Sequence, residues 1–361
     1  MKKITVLIID DSAVVRKILS DILSSDKEIE VVGTAMDPYI ARDKIKKLHP
    51  DVLTLDIEMP KMDGISFLRN VMRLRPMPVV MISSLTQKGA DIALEALSIG
   101  AVDYISKPKI DVAHELSSYA EEIIEKVKAA ANARVMPAAS ESPVTRLAQS
   151  KKIEALTRLR KNKPQRKLKT TEKIIAIGAS TGGTEAIKEI LINMRPDSPA
   201  IVIAQHIPRA FSTAFSKRMD SLSPMAVCEA EDGQHVLPGH AYVAPGDRHL
   251  VLVRDGARYY IKLDDGEPCN RHKPSVDVMF RSVEEAAGEN AIGVLLTGMG
   301  ADGARGLKQM HDSGSKTIAQ DENSSVVWGM PGEAVKLDAT DYVLPLSKIA
   351  QKIVTLIDEA E

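Results

Sequence analysis

Residues Lys173–Gly183 read K-I-I-A-I-G-A-S-T-G-G. Ile174, Ile175 and Ile177 form a β-branched apolar run that stops at Gly178. Thr184–Asn193 then follows a helical period, with Ala186, Ile187, Ile190 and Leu191 on one face. The pattern is strand, tight glycine turn, helix, with Ser180 at the turn. Gly178-x-Ser180-x-Gly182 has the spacing of a nucleophile elbow. Two plainer readings compete. Gly178 to Gly183 fits G-x-x-x-x-G, but Thr184-Glu185 follows where a phosphate loop needs Lys-Ser/Thr. Alternatively, Ser180 only caps the helix. Residues far along the chain must decide.

A length of 361 residues fits two domains of roughly 150 residues each. The formal net charge of -1 gives no whole-chain argument for nucleic acid or an anionic membrane. Aromatics at 3% are too few for base-stacking platforms. Cys228 and Cys269 make neither a disulfide framework nor a zinc site. Met-Lys-Lys and the short run Ile4–Ile9 end in Asp10-Asp11, which does not suit a signal peptide. No run of about 18 apolar residues occurs, so membrane insertion is not expected and the chain reads as cytoplasmic.

From the same glycine turn toward the C-terminus, strand and helix patterns alternate. Pro199–Ala204 is a strand running into Gln205-His206, and Ala291–Leu296 is a strand running into T-G-M-G-A-D-G at 297–303. Shorter strands are expected at Ala241–Val243 and Leu250–Val253, the latter in a hairpin with Tyr259–Leu263. Ser275 is a good N-cap for a helix to Ala287, and Lys348–Glu359 is a terminal helix. Ser180, His206 and Asp302 thus each follow an apolar strand of parallel type, which places them on one sheet edge. They are the parts of a nucleophile, base and orienter. The order Ser…His…Asp is not that of α/β-hydrolases, so the elbow spacing does not imply that fold.

Toward the N-terminus, residues 1–130 also alternate, with strand runs at Ile4–Ile9, Val31–Ala35, Val52–Leu55, Val79–Ile82 and Asp103–Ile105. This predicts a doubly wound parallel sheet. Asp10, Asp11, Asp56, Ser83 and Lys107 stand at its strand ends. Three converging carboxylates repel unless a hard divalent cation joins them, and such oxygen ligands suit Mg²⁺. Asp56 can then accept a phosphoryl group, with Lys107 and Ser83 positioned to meet its oxygens. Between the halves, 131–171 carries Pro137, Pro143, Pro164 and many cations, including Lys151, Lys152, Arg158, Arg160 and Lys161. That composition predicts a flexible basic linker, with a short helix possible around Ser150–Leu159.

Two resemblances follow. Residues 1–130 resemble a response-regulator receiver domain, on Asp10-Asp11, T-L-D-I-E-M-P-x-M-D-G around Asp56, Ser83 and Lys107-Pro108. The resemblance implies a flavodoxin-like fold and Mg²⁺-dependent phosphorylation of Asp56, with the metal held by Asp10, Asp11, Asp56 and the Glu58 backbone carbonyl. It also implies a switch in which Ser83 moves toward the phosphoryl group and the Tyr104 ring turns inward, with Lys107 neutralising charge. Residues 172–361 resemble the catalytic domain of the chemotaxis protein-glutamate methylesterase family, on G-A-S-T-G-G at 178–183, Q-H-I-P at 205–208, V-A-P-G-D-R-H at 243–249, R-H-K-P-S-V-D at 271–277 and T-G-M-G-A-D-G at 297–303. That implies a mainly parallel α/β domain. Its implied roles are Ser180 as nucleophile, His206 as base and acid, Asp302 as orienter, and Thr181 and Met299 flanking the oxyanion. No cofactor is implied for ester hydrolysis. The implied substrates are methyl-accepting chemotaxis receptors, the implied phosphodonor is the chemotaxis histidine kinase, and glutamine deamidation is implied beside ester hydrolysis. His272 and Ser275 lie in a motif without an assigned role. The competing expectation is a response regulator whose output half binds a partner or nucleic acid without catalysis; against it, the C-terminal half shows no helix-turn-helix.

Overall fold

The computed structural model describes residues 2–83, 86–107, 116–135 and 173–359. They fall into two compact units, one within Met1–Ala139 and one within Ser140–Glu361. The linker expected over 131–171, with its short helix, lies outside the described residues from 136 onward, as does Pro108.

The first unit runs β1 (Ile4–Ile9), α1 (Ala13–Ser24), β2 (Ile29–Ala35), α2 (Pro38–Leu48), β3 (Val52–Asp56), α3 (Gly64–Leu74), β4 (Val79–Ser83), α4 (Gln87–Ile99), β5 (Asp103–Ser106) and α5 (Leu116–Asn132). Its sheet has the order β2-β1-β3-β4-β5 with every pairing parallel. β3 and β4 are buried along their whole length, as continuous apolar strands covered on both faces must be. Short polar side chains start the helices: Ser12 accepts from Val15 N–H, Asp37 from Tyr39 and Ile40, Asp63 from Ser66, and Thr86 from Gly89. Because β1 lies between β2 and β3, the chain leaves it in opposite directions, and a crevice opens at the strands' carboxyl ends.

The second unit runs β6 (Ile174–Ala179), α6 (Gly183–Leu191), β7 (Ala200–Gln205), α7 (Arg209–Leu222), β8 (Ala226–Glu229), β9 (His240–Val243), β10 (His249–Asp255), β11 (Arg258–Asp264), α8 (Val276–Ala287), β12 (Ala291–Leu295), α9 (Ala304–Asp312), β13 (Lys316–Gln320), α10 (Met330–Lys336), β14 (Tyr342–Leu344) and α11 (Leu346–Asp358). Seven strands form one sheet, β14-β13-β12-β6-β7-β9-β8, again parallel at every pairing. β10 and β11 stand apart as an antiparallel hairpin. The hairpin is fastened to α8 by Leu252 N–H donating to Ser282 Oγ at 2.9 Å, and its Leu250, Leu252, Tyr259 and Ile261 share one apolar core with Phe280 and Val283. β6 sits at the centre, with Leu295 of β12 opposite Gly178 and Gln205 of β7 opposite Ala179. The chain therefore leaves three adjacent strands at one edge, immediately before Ser180, His206 and Leu296.

Candidate active site

Ser180 follows the last residue of β6. Its N–H donates to Thr297 O at 3.0 Å, and its carbonyl accepts from Gly183 N at 2.7 Å and Gln205 Nε2 at 2.8 Å. The Thr297 hydroxyl donates to Thr181 O at 3.0 Å, tying the turn after β6 to the turn after β12. Gly182, at φ 77°, is the N-cap of α6 and supplies no side-chain cap. Ser180 is therefore not the helix cap, and the plainest reading of the glycine turn fails. Its backbone is pinned at three points, while its side chain stays partly exposed.

His206 leaves β7 in the neighbouring position, and its N–H donates to Ala179 O at 3.2 Å. Its Nε2 lies 2.8 Å from Asp302 Oδ2. The ring is 7% exposed, and its Nδ1 is buried without a hydrogen-bond partner among the described residues. Ser180 and His206 are thus neighbours at the sheet edge without being hydrogen-bonded to each other. Such contacts commonly close only around a substrate.

Asp302 departs from expectation in its route. It does not sit at the end of β12 but beyond the Thr297–Ala301 turn, just before α9. From there it meets the N-terminus of α8. Oδ2 accepts from Val276 N at 2.7 Å and Oδ1 from Asp277 N at 3.2 Å, and the α8 cap Ser275 donates its hydroxyl to Oδ1 at 2.8 Å. Asn270 Nδ2 adds a further bond to Oδ1 at 2.7 Å. The positive end of a helix and these donors suit an anion. Burial alone would raise the carboxyl's pKa, but the hydrogen bonds from His206, Asn270 and Val276 hold it well below the usual range. Asp302 is thus an ionised, fully bonded carboxylate at the imidazole. A hydroxyl, an imidazole and a fixed carboxylate in this sequence can pass a proton away from the hydroxyl as it attacks an acyl carbon.

Thr181 is buried beside Ser180, and Met299 follows Gly298 in the neighbouring turn. Gly298 is needed there, because a Cβ would stand 2.8 Å from Ser180 Cβ. Sequence reading missed Gln205, which holds the Ser180 carbonyl, and Asn270, which holds Asp302. Gln205 sits inside the quoted Q-H-I-P motif, whereas Asn270 lies just ahead of R-H-K-P-S-V-D and gave no signal. Ser275 was legible as a cap but not as a partner of Asp302. His272 stacks on His206, with ring centroids 3.7 Å apart and planes at 15°.

At the first unit's crevice, Asp10, Asp11 and Asp56 offer ligand oxygens all within 4.8 Å of one another. Asp10 and Asp56 are fully buried, and Asp11 is exposed. Lys107 Nζ lies 2.8 Å from Asp56 Oδ2 and 3.7 Å from Asp10 Oδ2. Burial pushes Asp56 up to about 6 despite Lys107, and raises Asp10 as well. Burial works against the Lys107 ammonium, but its bond to Asp56 prevails and its pKa is raised. Asp10 Oδ2 and Asp56 Oδ1 are buried without hydrogen-bond partners among the described residues. Orphaned carboxylate oxygens facing one another are the donor set of a hard divalent cation, so these residues fit one. Ser83 Oγ donates to Gly89 O at 3.1 Å. Tyr104 is already buried, with its carbonyl accepting from Lys126 Nζ at 2.7 Å.

An acidic crevice closed by a lysine on one unit and a Ser-His-Asp edge on the other suit one class: a response regulator with a hydrolase-type output domain. The comparisons carry this further. A family model described as CheB methylesterase matches residues 175–353, and one described as response regulator receiver domain matches residues 6–116. The protein-glutamate methylesterase/protein-glutamine glutaminase of Hydrogenovibrio crunogenus is 56% identical over 376 residues, covering 99% of this chain and 100% of the relative. A protein of the same name from Xanthomonas campestris pv. campestris is 57% identical over 359 residues, covering 99% and 98%. The crystal structure of the Thermotoga maritima CheB methylesterase catalytic domain is 40% identical, with TM-score 0.51, over 52% of this chain and 99% of that one. The chain belongs to the CheB methylesterase family, in the form that carries a receiver domain. Among the described residues, no helix is long and apolar enough to cross a membrane.

Proposed function

We propose that the chain is a cytoplasmic, phosphorylation-controlled hydrolase that removes methyl groups from glutamate methyl esters of chemoreceptors and deamidates receptor glutamines. The observation that carries the reading is the saturated Asp302 carboxylate on His206 Nε2, beside Ser180 and with His206 Nδ1 still open. Ser180 Oγ attacks the γ-carbonyl carbon while His206 Nδ1 takes its proton. The imidazolium is held through Nε2–H by Asp302, whose charge is already in place. Backbone N–H groups of the Thr181 and Met299 turns receive the carbonyl oxygen as it gains charge. His206 returns the proton to the departing methoxide, giving methanol, or to the departing amine, giving ammonia. Water then attacks the acyl-enzyme by the same route and releases the glutamate. The hydrolysis uses no cofactor.

In the receiver, Asp10, Asp11, Asp56 and the Glu58 carbonyl would hold Mg²⁺. When bound, the metal neutralises charge at the phosphoryl oxygens. Asp56 accepts the phosphoryl group from the phosphohistidine of the chemotaxis kinase, and Lys107 pairs with the oxygens it brings. Ser83 leaves Gly89 O for the phosphoryl group, which biases the face carrying Tyr104. The two units, proposed as 1–130 and 172–361, are joined by the basic linker 131–171.

The test is methanol release from membranes holding methylated receptors, comparing wild type with Ser180→Ala. The expected loss is at least about 1,000-fold. Undiminished methanol release by a folded Ser180→Ala protein would overturn the assignment.

A further inference from the structure

The loop between β11 and α8 delivers side chains to His206 and Asp302 that the proposed reaction does not use. Cys269 N–H donates to His272 O at 3.1 Å, and His272 N–H donates back to Cys269 O at 2.9 Å. This narrow closure holds Asn270 at φ 53° and Arg271 at φ 67°, in the left-handed region. Asn tolerates that region better than most residues. Backbone held there persists only where its surroundings fix it.

The amide nitrogen of Asn270 uses its two hydrogens on two buried carboxylates, Asp302 Oδ1 at 2.7 Å and Asp277 Oδ2 at 2.8 Å. Asp277 Oδ1 accepts in turn from Gly306 N at 2.6 Å, in the first turn of α9. One side chain thereby ties the Asp302 carboxylate to the starts of both α8 and α9. With Ser275 Oγ and Asp277 N also on Oδ1, and Val276 N and His206 on Oδ2, the carboxylate cannot rotate. It fixes the direction of the imidazole within its plane. It does not fix the tilt, because a ring can pivot about a single hydrogen bond. His272 supplies that constraint by lying flat on the ring at 3.7 Å.

We infer that Asn270 and His272 are positioning residues for His206: Asn270 locks the carboxylate that aims the ring, and His272 locks the plane of the ring, so that Nδ1 faces Ser180. The inference rests on the proposed reading of Ser180 as nucleophile. Neither residue exchanges a proton with the substrate. Near-attack geometry is sensitive to small displacements, so loss of either lock appears in kcat and not in KM.

The experiment uses the full chain. Methanol release gives kcat and KM, and a fluorophosphonate probe reports Ser180 independently of receptors. In the labelling step Ser180 Oγ bonds to phosphorus, the P–F bond breaks, fluoride leaves and His206 takes the hydroxyl proton. Proton NMR follows the low-field Nε2–H signal between His206 and Asp302. His272→Ala and Asn270→Ala are expected to lower kcat and the labelling rate about 10- to 100-fold with KM within about twofold. The low-field signal should broaden or vanish in both. His272→Phe, a flat ring without nitrogens, should recover the rate to within about threefold of wild type. If His272→Ala does not fold, His272→Leu fills the space without a flat ring and should show the same loss; Asn270→Ser serves likewise for the amide. Full rates and an intact signal in the Ala variants would overturn the inference. So would a His272→Phe protein as slow as His272→Ala, since a ring nitrogen would then be required. A wild-type chain that neither labels nor releases methanol would instead refute the nucleophile reading itself.

Discussion

Gly298 shows how closely single residues are constrained at the Ser180 edge. A Cβ there would lie 2.3 Å from Met330 Sδ, 2.8 Å from Ser180 Cβ and 3.0 Å from Ser180 N. The methionine can swing aside, but Ser180 is held by its backbone bonds to Thr297, Gly183 and Gln205. Gly298→Ala should therefore cost about 1–3 kcal/mol of stability and displace the serine, which thermal unfolding and methanol release would both register. A wild-type rate in this variant would mean that the turn yields without moving Ser180. In the receiver the decisive single residue is Asp56. Its folded pKa, about 6, lies above the ordinary carboxyl value of 3.8 because the carboxyl is buried. In the folded state the group holds its proton to higher pH than in the unfolded state. Its contribution to stability is therefore fully present below about 4 and is lost as pH rises through about 6. Without Mg²⁺, Asp56→Asn should leave the receiver nearly unchanged at pH 4 and stabilise it at pH 7 by about 3 kcal/mol. Adding Mg²⁺ should stabilise wild type and not the variant. Melting curves at both pH values check this, and an advantage of the variant that is equal at pH 4 and pH 7 would contradict it.

At the scale of elements, Ser275 joins a local signal to a distant partner. It starts α8 by accepting from Val278 N–H, and its hydroxyl donates to Asp302. Ser275→Ala should lose the cap, about 1 kcal/mol of stability, and also reduce activity by loosening Asp302; Ser275→Thr should restore much of both. A stability loss with no change in kcat would separate the cap from the site. The sequence exposed the first role and hid the second, and the same division holds for the rest of the fold. Apolar strands such as Ile4–Ile9 and Ala291–Leu295 were legible because strands buried on both faces read as continuous β-branched runs. The residues leaving those strands were legible with them, which is why Asp10, Asp56, Ser180 and His206 could be placed. Short edge strands were not: β8 and β14 have partners on one side only, and Val227 is the one buried residue between them. Helices α7 and α10 were also missed. α7 begins after Pro208 without a side-chain cap, and α10 is only Met330–Lys336. Asp302 was expected directly after β12, and the structure brings it to His206 by a different path. It reaches His206 only because the turn after β12 folds back onto the N-terminus of α8, a contact between elements that spacing does not encode.

For the molecule as a whole, the two units carry different chemistries, and the proposed function requires that one controls the other. The catalytic unit's relative from Thermotoga maritima was solved as a separate domain and is covered over 99% of its length, so residues 173–361 are expected to fold alone. Full-length chain given Mg²⁺ and acetyl phosphate should release methanol faster than the same chain without the phosphodonor. Asp56→Asn should hold the unstimulated rate, because no carboxylate remains to take the phosphoryl group. The fragment 173–361 should be indifferent to the phosphodonor, since its Ser-His-Asp site contains no phosphoacceptor. Its basal rate decides the sign of control. If the unphosphorylated receiver restrains the hydrolase, the fragment exceeds the unstimulated full-length chain. A folded fragment at or below that rate would show that the receiver activates when phosphorylated rather than inhibits when not. A fragment that still responds to acetyl phosphate would place the phosphoacceptor outside the Asp10, Asp11 and Asp56 crevice altogether.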